Sequence, residues 1–147
     1  MFKNSYKNVG FVSNPQYFDV NPSENAPEID EDNMLAKILL FSGQNIKDLI
    51  KNYSVGECSL DNLQSIFEYS HMAPTSPFSM KSWMTPEDYL VIEELPHLAL
   101  AGDCEGFGIR DFEKDGKRIR LVMMKSGEMS LVDIDELRVD KFVLAGP

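Results

Sequence analysis

At 147 residues and 43% hydrophobic content, the chain has the size and apolar fraction for one domain with a buried core. Its 14 basic residues stand against 24 acidic ones, and the resulting net charge of −10 argues against strong autonomous binding to nucleic-acid phosphates. The best apolar stretch, Leu35 to Phe41, is short and broken by Lys37, which excludes a membrane-spanning helix.

From the N-terminus, MFKNSYKN leads into polar residues and lacks the apolar centre of a signal peptide. Val9 to Val20 predicts two short strands about a bend at Asn14-Pro15, since Phe11, Tyr17, Phe18 and Val20 favour extended backbone. Residues 21–33, NPSENAPEIDEDN, are acidic and proline-containing, and predict a solvated loop. Met34 to Phe41 predicts a mostly buried strand. Ser42-Gly43-Gln44-Asn45 then turns into an amphipathic helix, with Ile46, Leu49, Ile50 and Tyr53 at i, i+3, i+4 and i+7. Val55-Gly56 ends it, and a second helix is expected from Ser59 to about Ser70, with Leu60, Leu63, Ile66 and Phe67 on one face.

Residues 71–88 open with HMAPTSPFSMKSWMTP, whose prolines predict an ordered but irregular excursion. His97 to Ala101 is an apolar strand running into a small-residue loop, Gly102-Asp103-Cys104-Glu105-Gly106, the kind of strand-end loop that often holds a ligand. The region 97–145 is otherwise β-rich. Gly106 to Phe112, Arg118 to Met124 and Glu128 to Ile134 predict strands joined by hairpin turns at Asp115-Gly116 and Ser126-Gly127, with a last strand at Lys141 to Ala145. Ile119, Leu121 and Met123 share a face opposite Arg118 and Arg120, so one side of the sheet is expected to be wetter. This order of elements predicts a layered α+β domain over 1–147, a sheet with helices on one face.

Residues able to carry chemistry are few. His71, His97, Asp103 and Glu105 are the possible ligands of a two-histidine, carboxylate metal site, but nothing in their spacing brings them together. The alternative roles are structural: His71 at a helix C-terminus and His97 packed at a strand end. Cys104 has no base-and-orienter pattern, Cys58 and Cys104 lack metal-type spacing, and Glu93 and Glu94 point to opposite strand faces. The basic residues Arg110, Lys114, Lys117, Arg118 and Arg120 are interleaved with Asp111, Glu113 and Asp115, as on a solvated hairpin.

In order along the chain stand FVSNPQYFDV, FSGQNIKDLI, HMAPTSP, and EELPHLALAGDCEGFGIRDF followed by RIRLVMMKSGEMSLVDIDEL. Together they resemble the B-subunit family of replicative DNA polymerases, in particular the small, second subunit of the eukaryotic delta enzyme. DYLVIEELP is also similar to the small subunit of archaeal family D polymerase. The blocks SGQN-x-x-D and H-x-x-PT-x-P carry most of the specificity.

The resemblance implies an OB fold upstream of Met1, and a chain that corresponds to the C-terminal part of an inactive calcineurin-like phosphoesterase domain, a layered β-sandwich with flanking helices. It also implies a family metal motif, Gly-His-x-His in active archaeal relatives, at the place where this chain has Gly102-Asp103-Cys104-Glu105. Asp103, Glu105 and His71 are then degenerate metal-site positions, with no resident metal and no cofactor. Pro74-Thr75-Ser76-Pro77-Phe78 lacks the acidic position of the family's corresponding loop.

The function implied is that of a nuclear, non-catalytic accessory subunit. It would bind the C-terminal domain of the polymerase catalytic subunit and a further accessory subunit, touching DNA at most indirectly and no membrane. Phe78, Met80, Trp83 and Met84 are candidates for a partner surface, because aromatic and Met residues on an ordered loop are enriched at interfaces. The competing expectations are a divergent metal-dependent phosphodiesterase or exonuclease, and a small standalone binding module.

Overall fold

The computed structural model describes residues 14–20, 36–53, 60–79 and 86–142. The expected strand before Asn14, the acidic loop 21–33, the break at Val55-Gly56, Cys58, and Met80, Trp83 and Met84 lie outside the described residues. Within them, strands β1 (Gln16–Val20) and β2 (Ala36–Ser42) precede helices α1 (Gln44–Tyr53) and α2 (Leu60–Glu68). Strands β3 (Leu98–Cys104), β4 (Gly108–Lys114), β5 (Lys117–Lys125), β6 (Met129–Asp133) and β7 (Arg138–Phe142) follow.

Five strands form one sheet in the order β1-β2-β3-β5-β4, and β6 and β7 form a separate two-stranded ribbon. β2, β3 and β5 run parallel at the centre, while β1 and β4 pair antiparallel at the two edges. Parallel neighbours need a crossover, and α1 and α2 supply it between β2 and β3.

The helices form because their apolar residues repeat on one side: Ile46 and Leu49 in α1, Leu63, Ile66 and Phe67 in α2, all buried. They pack with Leu39, Phe41, Ala99, Ala101, Ile119, Leu121 and Met123 on one face of the sheet. This is the predicted mixed α+β layering. Tyr53, expected in the buried stripe of α1, is exposed instead, as are Lys51 and Asn52 of the same last turn.

The other face is drier than expected. Leu98 and Val122 pack there with Val139, joined by Ile38, Leu100, Val132 and Leu137, so the ribbon closes over the sheet. Arg120, assigned to the wetter side, donates from a guanidinium nitrogen to the Leu137 carbonyl at 2.6 Å and pins the ribbon's turn. Its Nε also meets Asp111 Oδ1 at 2.7 Å, while Arg118 bonds the other carboxylate oxygen. The Arg120 bonds, with Arg118 beside them, hold the Asp111 carboxyl at about 2 against the cost of its partial burial.

The hairpin at Asp115-Gly116 is confirmed, and both residues have positive φ (52° and 74°), the backbone of a two-residue turn whose twist suits β4 and β5. Ser126-Gly127 is a turn but not a hairpin between paired strands, because β6 leaves the sheet and pairs with β7. The last strand begins at Arg138, before the predicted Lys141. β3 continues through Gly102, Asp103 and Cys104, so the expected small-residue loop is mostly strand.

Candidate functional site

The C-terminal ends of β2 and β3 meet the start of α1. Ser42 lies beside Gly102 in the parallel register, and the Gly43 N–H donates to the Gly102 carbonyl at 2.5 Å. A Cβ on Gly43 would stand 2.6 Å from that oxygen and 2.9 Å from Cys104 Sγ, so only glycine fits the turn. Asn14 ties β2 from outside: its side chain donates to Ser42 Oγ at 2.8 Å and accepts the Ser42 N–H at 3.0 Å. At β3 the register shifts between Ala101 and Cys104, and Asp103 takes a φ of 54°. The irregularity turns the Cys104 thiol into the core, where it faces the Ala101 and Gly102 carbonyls at 3.6 Å, and sends the Asp103 carboxylate outward to Lys47 Nζ at 2.8 Å.

The segment from His71 docks onto the same helix. Asn45 Nδ2 donates to the Met72 carbonyl at 2.6 Å. Asp48 Oδ2 accepts from the Thr75 hydroxyl and from Ser79 Oγ, the latter at 2.5 Å. Partial burial would raise the Asp48 carboxyl, but the Ser79 and Thr75 hydroxyls outweigh it and hold the group below its ordinary value. The blocks SGQN-x-x-D and H-x-x-PT-x-P are thus joined to each other by hydrogen bonds between their own polar residues.

α2 ends in a Schellman arrangement, with Ser70 at φ 52°, the Ser70 N–H on the Phe67 carbonyl and the His71 N–H on the Ile66 carbonyl. Lys114, reaching over from β4, donates to the Phe67 and Glu68 carbonyls at 2.6 and 3.1 Å and supplies the cation that a helix C-terminus favours.

Both ring nitrogens of His71 have partners. Nδ1 accepts the Ala73 N–H at 3.0 Å, which leaves Nε2–H to donate to Asp88 Oδ2 at 3.0 Å. The His71 bond and the Leu90 N–H lower the Asp88 carboxyl. His97 is packed at a strand end: its Nδ1 accepts the Lys37 N–H at 2.9 Å, and its backbone N–H donates to the Lys37 carbonyl at 2.8 Å. Burial, aided by the nearby Lys117 charge, pushes the His97 imidazole below its ordinary value.

The structure therefore disperses the sequence-predicted ligands. Asp103 faces Lys47, Glu105 is exposed beyond the strand, His71 is bound to Asp88, and His97 closes the β2–β3 ladder. Among the described residues no group of three or more His, Cys, Asp or Glu side chains is placed to hold a metal ion. Of the candidate partner surface, Phe78 is 97% exposed on the docked segment. Asn45, Asp48 and Thr75 were not singled out from the sequence. The signal available was the co-occurrence of the two polar motif blocks that contain them.

The sequence model of the DNA polymerase alpha/epsilon B-subunit family matches residues 1–109. Among curated proteins, DNA polymerase delta subunit 2 of Drosophila melanogaster is 35% identical over 108 residues, covering 69% of this chain and 25% of the relative. The DNA polymerase delta small subunit of Arabidopsis thaliana is 31% identical over 119 residues, 80% of this chain and 24% of the relative. The DNA polymerase II small subunit of Archaeoglobus fulgidus is 29% identical over 108 residues, 69% of this chain and 19% of the relative. The chain spans about a quarter to a third of the length of the eukaryotic delta relatives it matches.

Proposed function

The chain belongs to the DNA polymerase alpha/epsilon B-subunit family, and on that footing we propose that it is a non-catalytic accessory subunit of a delta-type replicative DNA polymerase, at work in the nucleus. The observation that carries this reading is what its strand-end residues do. Asp103, His71 and His97 spend their polar atoms on Lys47, Asp88, Ala73 and Lys37, so the site braces the crossover and has no imidazole pair open to a metal. Asp103, Glu105 and His71 are the degenerate positions of an ancestral metal centre in this reading. The layered α+β fold, with helices on one face and a ribbon on the other, is compatible with the C-terminal part of a calcineurin-like phosphoesterase domain.

Such a subunit acts as a scaffold. Its partners are the C-terminal domain of the polymerase catalytic subunit and a further accessory subunit. Phe78, with Met80, Trp83 and Met84 after it in sequence, is the proposed contact. A nearly fully exposed aromatic on a segment bound to α1 through Asp48 is positioned to anchor in a partner's pocket. With a net charge of −10, contact with DNA would run through the partners.

The test is capture of the catalytic subunit's C-terminal domain by this chain in co-expression, with Phe78→Ala and Trp83→Ala variants beside it. Capture that falls in the variants supports the proposal. Failure to capture the domain, or a Mn²⁺-dependent nuclease activity abolished by Asp103→Asn, would overturn it.

A further inference from the structure

A cleft opens at the β1 edge of the sheet, away from the crossover. It has a volume of about 670 Å³ and is lined by Tyr17 of β1, Lys37 of β2 and the segment from Glu87 to Glu94. The walls are well anchored. The Leu90 carbonyl accepts the Met72 N–H at 2.7 Å, the Ile92 N–H donates to the Ser70 carbonyl at 2.8 Å, and Ile92 is buried between them. Tyr17 is fixed by its hydroxyl, which donates to the Glu94 carbonyl at 3.2 Å.

Three apolar or aromatic side chains on this wall remain open to solvent: Tyr89 at 74% exposure, Val91 at 43% and Tyr17 at 36%. An anchored groove with exposed aromatic walls is the form of a peptide-docking surface. Its charge selects the occupant. Glu93 and Glu94, expected on opposite faces of a strand, lie in an irregular segment and both line the cleft. With Glu87 and Asp88 they stand against Lys37, which is already bound by Asp19 and Glu94. Glu93 makes no ion pair among the described residues.

We propose that this cleft docks an arginine-bearing segment of a partner protein. Lys37 Nζ already lies over the Tyr17 ring, 6.0 Å from its centroid, which leaves the Tyr89 ring for the incoming cation. A guanidinium is flat enough to stack on Tyr89 and forked enough to bond a carboxylate such as Glu93 through paired N–H groups. Lysine offers a single hydrated point charge and fits less well. The proposal stands on residues other than Phe78 and the metal-like positions, so it can fail while the accessory-subunit reading holds, and the converse is equally true.

The probe is a short fluorescein-labelled peptide of alternating arginine and glycine, titrated with the whole chain and followed by anisotropy. Lysine–glycine and leucine–glycine peptides of the same length serve as comparisons. The cleft variants are Glu93→Gln and the double change Glu93→Gln with Tyr89→Ala, with folding checked by circular dichroism. Glu113→Gln removes an equal charge from exposed β4, at the opposite edge of the sheet.

The expected result is that the arginine peptide binds more tightly than the others, that the double variant weakens it about tenfold, and that Glu113→Gln changes it less than about twofold. Glu93→Gln alone should move affinity in the same direction by a smaller factor. No binding of the arginine peptide overturns the proposal, as does equal weakening by Glu93→Gln and Glu113→Gln, which would mark diffuse attraction to an acidic protein. Equal binding of the leucine peptide overturns it too.

Discussion

Replacing Gly43 by Ala tests the tightest point of the β2–α1–α2–β3 crossover. The added Cβ would lie 2.6 Å from the Gly102 carbonyl oxygen and 2.9 Å from Cys104 Sγ, where ordinary contacts begin at 3.4 Å. The oxygen belongs to backbone within the parallel sheet and the sulfur is buried, so neither neighbour can swing away. Overpacking of this kind costs about 1–3 kcal/mol. Separating the strands would also stretch the Gly43 N–H bond to Gly102, worth about 1 kcal/mol. Against this, Ala narrows the unfolded ensemble and returns about 0.4–1 kcal/mol.

The net expectation is a loss of about 1–3.5 kcal/mol, or a fall in Tm of about 3–12 °C for a domain of this size. Gly102→Ala is the internal comparison, since a Cβ there meets only the Phe41 carbonyl at 3.8 Å. Neither glycine has positive φ, so backbone strain does not separate the two variants. Urea unfolding followed by far-UV circular dichroism reads both. A Gly43→Ala loss below about 0.5 kcal/mol, or an equal loss for Gly102→Ala, would refute the argument from close approach.

Two further outcomes follow from the hydrogen bonds of the site. Asp48→Ala leaves the buried Thr75 hydroxyl without its acceptor, while exposed Ser79 keeps the Thr75 carbonyl and water, and is expected to cost about 1–3 kcal/mol. A double-mutant cycle with Thr75→Val should give a coupling of about 1–2 kcal/mol, and additivity would show that the bond contributes nothing. His97 has its imidazole pushed down in the folded state, so the unfolded chain binds the proton more readily. Its contribution is therefore present above the ordinary histidine value of about 6.5 and is lost as the pH falls below it. Asn at this position keeps an acceptor for the Lys37 N–H without titrating, so His97→Asn should flatten the stability profile between about pH 5 and 7, and an unchanged slope would count against the reading.

Elements that depend on neighbours in sequence were legible. The α1 and α2 stripes, the buried β2, the Gly43 turn and the Asp115-Gly116 hairpin are each specified by residues within a few positions of one another. The motif blocks pointed to the family even though the bonds between them could not be read. Long-range pairings were not legible. Lys114 looked like one of several hairpin cations, yet it bonds the end of α2 across 46 and 47 residues of chain. β6 has the composition of a third meander strand, and only the chance to cover Leu98 and Val122 draws it off with β7. Asp103 and Cys104 read as a loop because small residues are ambiguous, and the parallel register with β2 makes them strand.

By itself the sequence determined the family, the mixed α+β class, and which residues form the core face of each helix. These follow from local spacing and from residue identities that need no partner to be meaningful. Tertiary structure alone decided what the site residues do. Carboxylates and imidazoles have no chemical role until a neighbour is set against them, and here the fold gives Asp103 to Lys47, His71 to Asp88 and His97 to Lys37. The same folding sets Tyr17, distant in sequence, on the walls of one cleft with Tyr89 and Glu93.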